Sequence, residues 1–322
     1  MAANYHQIEA DDDLRHDVQQ LTRLAVAEDL RDSLDWTTVC FIRDDTEKSC
    51  HLRARSAGIA AGLIAIQWVL DEFDADVRCD PKVGEGQHFD PGDTLAVLRG
   101  NARDLLTSER TVLNLVSRMC GIATMTARYV DQIGNQNARL YDTRKTTPGM
   151  RLIEKYAVRC GGGTNHRSGL HDGILIKDNH IAMSDTFESE TDALGDAANV
   201  DDATARLIGG VRRAVAWRGQ TFGHQVAPEI VEVEVDTLEQ FDAVLPLGVD
   251  IILLDNFTLD ELAIAVQRRN QRSVDVQLEA SGNVRIDTIG SIATTGVDRI
   301  SSGALTHQAV SLDLGLDWVG KD

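Results

Sequence analysis

From residue 138 to residue 300 the chain repeats one pattern: a short apolar run, then polar or glycine-rich chain, often followed by a helix-length segment. The runs fall at 138–141, 174–176, 230–235, 249–254, 274–278 and 297–300, with helix-length segments such as 207–217 and 258–269 between them. Strands that alternate with helices build a parallel sheet, because each crossover needs a dozen or more residues. An open doubly wound sheet and a closed barrel both satisfy this rhythm. Polar side chains at the strand ends favour the barrel. Lys177, Glu234, Asp255, Glu279 with Ser281, and Ser301 with Gly303 each close or follow a different run. Barrels gather their chemistry from the ends of several strands at one face. Open sheets concentrate it at one crevice.

The first part of the chain reads differently. Residues 16–30 carry leucines and alanines at helical spacing, and 57–73 is a second helix candidate. Residues 50–55 alternate like a strand, as do 94–98 after the turn Asp90-Pro91-Gly92-Asp93. Ser108 is placed to cap a helix through Val112, Leu113, Val116 and Met119, with Arg110 in its first turn. A cation there gains nothing from the helix dipole, so Arg110 reads either as a ligand or partner contact or as a solvated helix residue. Residues 182–205 break the later rhythm. They hold Asp185, Glu188, Glu190, Asp192, Asp196, Asp201 and Asp202 with no Lys or Arg, the pattern of an exposed acidic loop.

A chain of 322 residues buries a substantial core as one large domain or two smaller ones. The formal charge of −19 argues against nucleic acid as a partner. No apolar run approaches a membrane span, and the polar N-terminus carries no secretion segment, so a cytoplasmic protein without a membrane partner is expected. The five cysteines, at 40, 50, 79, 120 and 160, have no metal-knuckle or redox-pair spacing and are expected to be reduced.

Against the acidic total, Arg110, Arg144, Lys145, Arg167 and Lys177 stand out, with His166 beside them. Arginine grips a carboxylate or phosphate through two parallel hydrogen bonds, and lysine serves as a compact charge near phosphate. Cations gathered together repel one another unless anions fill the space; the bland reading for any one is pairing with a surface acid. Glu234 and Asp255 close neighbouring runs, and carboxylates near phosphate point to a divalent cation or a ribose hydroxyl. Helix capping is the plain alternative for Asp255. The turns Glu279-Ala280-Ser281-Gly282-Asn283 and Ser301-Ser302-Gly303-Ala304 each offer backbone N–H groups to a phosphate, with His307 four residues beyond Gly303. There is no dinucleotide fingerprint and no Walker loop.

Taken in order, these elements resemble the quinolinate phosphoribosyltransferase family. The matching pieces are Ser108-Glu109-Arg110-Thr111 with Asn114, then Asp142-Thr143-Arg144-Lys145-Thr146-Thr147-Pro148-Gly149, then Gly162-Gly163 with Asn165-His166-Arg167. Leu170 with Asp172, Ile176-Lys177-Asp178-Asn179-His180, Val231-Glu232-Val233-Glu234, Leu254-Asp255-Asn256-Phe257 and Glu279-Ala280-Ser281-Gly282 continue the match. The resemblance implies an incomplete α/β barrel at 123–303, with the acidic insertion at about 182–205, and an N-terminal α/β sandwich at 1–122 completed by 304–322. It implies conversion of quinolinate and phosphoribosyl pyrophosphate to nicotinate mononucleotide, pyrophosphate and CO2, with Mg2+, in de novo NAD synthesis. It also implies a homodimer or higher homo-oligomer in which Arg110 is donated across the interface.

By the same resemblance, Arg144, His166, Arg167 and Lys177 face the two carboxylates of quinolinate. Lys145 and Lys177 lie near the pyrophosphoryl group. Glu234 and Asp255 serve the ribose and the metal, and Ser281, Gly282, Gly303 and His307 surround the 5-phosphate. Catalysis is thereby assigned to Lys145, Lys177, Glu234 and Asp255. The chain departs from the family's usual Glu-Ala-Ser-Gly-Gly in having Asn283 after Gly282. Two rivals remain: a paralogous phosphoribosyltransferase for another aromatic acid, and a non-catalytic phosphometabolite-binding protein.

Overall fold

The computed structural model describes residues 4–184, 202–272 and 274–319. The chain divides into two compact units, each assembled from separated stretches. One gathers 7–130, 145–165 and 303–322; the other gathers 1–6, 131–144 and 166–302. The sequence leads to an expected domain 1–122 completed by 304–322 and a barrel 123–303; by compactness, 145–165 also group with the first unit and 1–6 with the second.

The first unit begins with helix Asp12–Leu30. The Asp11 side chain caps it at the Leu14 N–H, and Asp12 and Asp13 sit favourably at the positive end of its dipole. Leu14, Val18 and Thr22 recur every four residues as its buried stripe. Four strands follow: β1 (Glu47–Ala54), β2 (Gly58–Ile59), β3 (Val77–Pro81) and β4 (His88–Phe89). Next comes β5 (Thr94–Asn101), which pairs antiparallel with both β1 and β3.

The helix expected over 57–73 is confined to Ala65–Glu72. Ahead of it, β2 pairs with β4, and Gly62 turns the chain at φ +85°. The Glu85 carboxylate accepts the N–H groups of Gly62 and Ile64 at 2.8 and 3.0 Å, which fixes that turn and stops the helix from extending backward. A second correction concerns Ser108. The helix runs Ala102–Ile133, and the Asn101 side chain accepts the N–H of Arg103 at 2.8 Å in the capping position. Ser108 lies inside it, buried, with its hydroxyl returned to the Asp104 carbonyl at 2.7 Å. Arg110 is therefore a mid-helix residue and not a first-turn one.

The second unit is built on a six-stranded parallel sheet. Its strands are β6 (Arg139–Tyr141), β7 (Ile174–Ile176), β10 (Val231–Val235), β11 (Ile251–Asp255), β12 (Gln277–Ser281) and β13 (Arg299–Ser301). A small hairpin, β8 (Thr221–Phe222) with β9 (Gln225–Val226), precedes β10. The order across the sheet is β6-β13-β12-β11-β10-β7. Among the described residues β6 and β7 end the row without pairing to each other, so the sheet is not closed, as an incomplete barrel requires. The last two strands begin later than the apolar runs suggest, which moves Glu279 inside β12 and makes Arg299 the first residue of β13. Helix Asp202–Trp217 begins within the segment read as an acidic loop; residues 185–201 of that segment lie outside the described residues. The chain finally returns to the first unit as β14 (Leu314–Trp318), antiparallel to β1. There Asp317 pairs with Arg55 and Arg53.

Candidate active site

Because all six strands run parallel, their carboxyl ends lie along one edge of the sheet. Lys177 follows β7 directly, Glu234 lies next to last in β10, Asp255 ends β11, and Ser281 ends β12. Register places these side by side. Val233 pairs with Ile176, Val235 with Leu254, and Asp255 with Ser281. The Lys177 ammonium forms an ion pair with Glu234 Oε2. Glu234 sits in a crowd of acids. Burial pushes its carboxyl up, Lys177 opposes this, and Asp255 and Asp178 add to the rise. Asp236 is raised in the same way, by burial and then by Asp255 and Asp178. Carboxylates crowded together at strand ends are a donor set that a hard divalent cation relieves. Asp178 and Asp236, which are not among the expected site residues, sit within two residues of Lys177 and Glu234.

The turn after β12 has a distinctive backbone. Gly282 is at φ +87° and Asn283 at φ +49°, and they face Asn256 at φ +57°. A Cβ on Gly282 would lie 2.3 Å from Asn256 Oδ1, so only glycine fits. The Asn283 amide donates to Asn256 Oδ1 at 3.0 Å, and the Asn256 amide donates to Asp255 Oδ2 at 2.7 Å. The residue that departs from the family pattern is thus linked, through one neighbour, to a proposed metal carboxylate.

A second group surrounds Arg167. The Asp142 carboxylate, fully buried, accepts the His166 N–H at 2.9 Å and so joins the Asp142-Thr143-Arg144 motif to the His166-Arg167 motif. The Arg167 backbone N–H donates to His166 Nδ1 at 2.8 Å, and its guanidinium donates to the Gly173 carbonyl at 2.9 Å. Arg167 is 5% exposed, yet its Nε has no hydrogen-bond partner among the described residues. A buried guanidinium with an idle donor is costly until an anion satisfies it. Arg144 is half-buried.

Beneath His166 lies a buried polar cluster that the sequence reading left unassigned. Glu232 and Glu279 are fully buried in mid-strand and face His166 Nε2 at 3.1 and 3.5 Å. The Arg299 guanidinium pairs with Glu279 at 2.6 Å and lies over the Tyr141 ring at 3.7 Å. Tyr5 completes the set. Its ring stacks on His166 at 4.7 Å, and its hydroxyl donates to Glu232. Burial works to raise the Glu232 carboxyl, but His166, Arg299 and the Tyr5 hydroxyl together hold it below the ordinary range. Burial likewise opposes a proton on His166, and the two carboxylates outweigh it. The Arg167 backbone N–H is aimed at Nδ1, and Nε2 faces the two carboxylates. The available signal was charge at alternate positions of an apolar strand, Val231-Glu232-Val233-Glu234-Val235.

Arg110, Lys145, Gly303 and His307 belong to the other compact unit. Arg110 is exposed and lines a cavity of about 360 Å3 with Glu28, Asp29, Asn114, Arg118 and Met150. Arg118 is held by Glu154 at 2.7 Å and by the Thr306 carbonyl at 2.7 Å. Lys145 is exposed, and its carbonyl accepts the Thr306 hydroxyl at 2.7 Å. Gly303 starts the short helix Ala304–His307, which ends on exposed His307.

A parallel α/β sheet carrying a lysine–carboxylate pair, further acids and a glycine turn at adjacent strand ends defines an enzyme of the α/β-barrel kind, built for anionic substrates. Sequence comparison gives the particular family. Residues 122–194 and 188–317 match the quinolinate phosphoribosyl transferase C-terminal domain, and residues 35–120 match its N-terminal domain. The chain belongs to the quinolinate phosphoribosyl transferase family.

Among its relatives, the nicotinate-nucleotide pyrophosphorylase [carboxylating] of Mycobacterium leprae is 43% identical over 298 residues, covering 92% of this chain and 95% of the relative. The probable enzyme of the same name from Bacillus subtilis is 37% identical, covering 84% of each chain. The structure of the nicotinate-nucleotide pyrophosphorylase from Francisella tularensis superposes with a TM-score of 0.82 at 33% identity, covering 98% of this chain and 100% of that one. No helix among the described residues is long and apolar enough to cross a membrane.

Proposed function

We propose that this enzyme joins quinolinate to phosphoribosyl pyrophosphate and releases nicotinate mononucleotide, pyrophosphate and CO2, the entry step of de novo NAD synthesis. The observation that carries this reading is that one parallel-sheet unit holds both a buried Arg167 with an unfilled donor and the Lys177–Glu234 ion pair. Membership of the family supports the substrate assignment.

The chemistry follows from these groups. Arg110, Arg144, Arg167 and Lys177 form the quinolinate end, matching the substrate's two carboxylates with several cations, while His166, its ring nitrogens directed at protein groups, holds Arg167 in place instead of facing the substrate. Lys145 and Lys177 neutralise the pyrophosphoryl group as it gains charge. The pyridine nitrogen forms its bond to ribose C1 while the C1–oxygen bond breaks and its electron pair leaves with pyrophosphate. Glu234 and Asp255 oppose the positive charge that develops on the sugar. The C–C bond to the carboxyl beside the ring nitrogen then breaks. CO2 leaves, the electron pair stays on the ring carbon beside the now positive nitrogen, and a proton from water completes the product. No protein nucleophile is needed, and the residues act by positioning and neutralising.

Glu234 and Asp255 would hold Mg2+, which on binding supplies charge neutralisation for the leaving pyrophosphate. Ser281, Gly282, Gly303 and His307 receive the 5-phosphate through backbone N–H and side-chain donors. The enzyme works as a homodimer or a larger homo-oligomer, with Arg110 serving the neighbouring subunit. A cytoplasmic location is consistent with this role.

Comparing product formation from quinolinate and from nicotinate tests the reading. Rapid turnover of quinolinate with little from nicotinate supports it. The reverse preference assigns the chain to a different aromatic acid.

A further inference from the structure

We propose that Tyr5 is a positioning residue for Arg167, acting through His166 and Gly173. The inference rests on the reading of Arg167 as a quinolinate ligand. Arg167 has two anchors inside the protein: its backbone N–H is held by His166 Nδ1, and its guanidinium by the Gly173 carbonyl. Tyr5 touches both anchors. Its ring lies against the imidazole at 4.7 Å with 29° between the planes. The same ring packs so tightly on Gly173 that a Cβ there would come within 2.6 Å of Tyr5 Cε1.

The Tyr5 hydroxyl also donates to Glu232, the carboxylate that faces His166 Nε2. The two ring nitrogens of His166 are both directed at protein groups, Nδ1 at the Arg167 N–H and Nε2 at Glu232 and Glu279. With Asp142 holding its own N–H, His166 is fixed from every polar atom shown and transmits that order to Arg167. Buried networks of this kind rigidify what they contact, and precise placement of an anion-binding arginine is where rigidity matters. Tyr5 itself is 2% exposed, so it serves the site from beneath.

The test is a double-mutant cycle on the full chain, read by calorimetric binding of quinolinate alone and by steady-state KM for each substrate. Tyr5→Ala is expected to weaken quinolinate binding on the order of tenfold. The KM for phosphoribosyl pyrophosphate should stay within about twofold. Tyr5→Phe keeps the stacked ring and loses the hydroxyl, so an intermediate loss is expected. It also supplies the answer if Tyr5→Ala does not fold. In an Arg167→Ala background the Tyr5 substitutions should have little further effect. His166→Asn, which keeps an acceptor near the Nδ1 position, should retain more quinolinate affinity than His166→Gln. Full additivity with Arg167→Ala overturns the proposal, as does unchanged quinolinate affinity in a folded Tyr5 variant or an equal rise in both KM values. Undiminished quinolinate binding by Arg167→Ala alone instead removes the assignment of Arg167, a separate failure.

Discussion

The ammonium of Lys177 and the Oε2 of Glu234 form an ion pair across adjacent strand ends, although the two residues stand 57 positions apart. The ammonium side of the pair is partly in solvent, Lys177 at 40% against 11% for Glu234, so the pair contributes little stability. Lys177→Ala should lower kcat/KM by about 10²–10³-fold with little change in thermal midpoint. Steady-state kinetics beside a thermal melt checks both halves of that statement.

Arg144 follows the sheet's edge strand β6 and is half-buried. If Arg144 grips a quinolinate carboxylate as proposed, replacing it with alanine should reduce kcat/KM for quinolinate by about 10²-fold. Unchanged catalytic efficiency in a steady-state assay would refute its role.

Asn283 holds Asn256, and Asn256 holds Asp255. Its φ of +49° suits glycine at least as well, so Asn283→Gly should leave stability within about 0.5 kcal/mol of the parent. Losing the side chain frees Asn256, and the KM for phosphoribosyl pyrophosphate should rise by roughly two- to fivefold at unchanged KM for quinolinate. Equal kinetics in both proteins would make the Asn283–Asn256–Asp255 chain irrelevant to substrate.

The cysteines give a chemical fingerprint. Cys40 is exposed, whereas Cys50 and Cys120 are buried. Burial pushes the thiols of Cys50, Cys79 and Cys120 up to about 12 and raises Cys160 as well. Thiolate is the reactive form, so a thiol reagent at neutral pH should label Cys40 first and the other four slowly. All five should react in denaturant. Rapid labelling of Cys120 in the native protein would contradict the burial described.

Asp35 caps helix Trp36–Phe41 through the Thr38 side chain and N–H, bonds that hold its carboxyl below the ordinary range. A depressed carboxyl stabilises the fold above its unfolded pKa, and that contribution disappears as pH falls through the folded value. Acid unfolding of Asp35→Asn, which keeps a capping acceptor, should therefore show a weaker pH dependence in that acidic window. Identical acid profiles would remove Asp35 from the account.

Much of the catalytic unit is legible because buried parallel strands are written as continuous apolar runs, and functional groups follow them directly. Lys177 and Asp255 were read on that ground alone. Strand order was not legible, since β6 pairs with β13 across more than half of the later chain and no local pattern encodes it. Tyr5 escaped notice for the same reason: its partner Glu232 is 227 residues away. Glu279 and Arg299 form an ion pair inside the sheet, so their charges carry no outward sign of where they point. The start of helix Ala102–Ile133 was hidden because its cap, Asn101, is also the last residue of β5.

The most direct test of the central claim is CO2 release from quinolinate labelled in the carboxyl beside the ring nitrogen, with each component omitted in turn. The account predicts labelled CO2 and pyrophosphate in equal amounts when quinolinate, phosphoribosyl pyrophosphate and Mg2+ are all present, and neither product when either substrate is withheld. Binding of both substrates without either product, or pyrophosphate release without CO2, would contradict it.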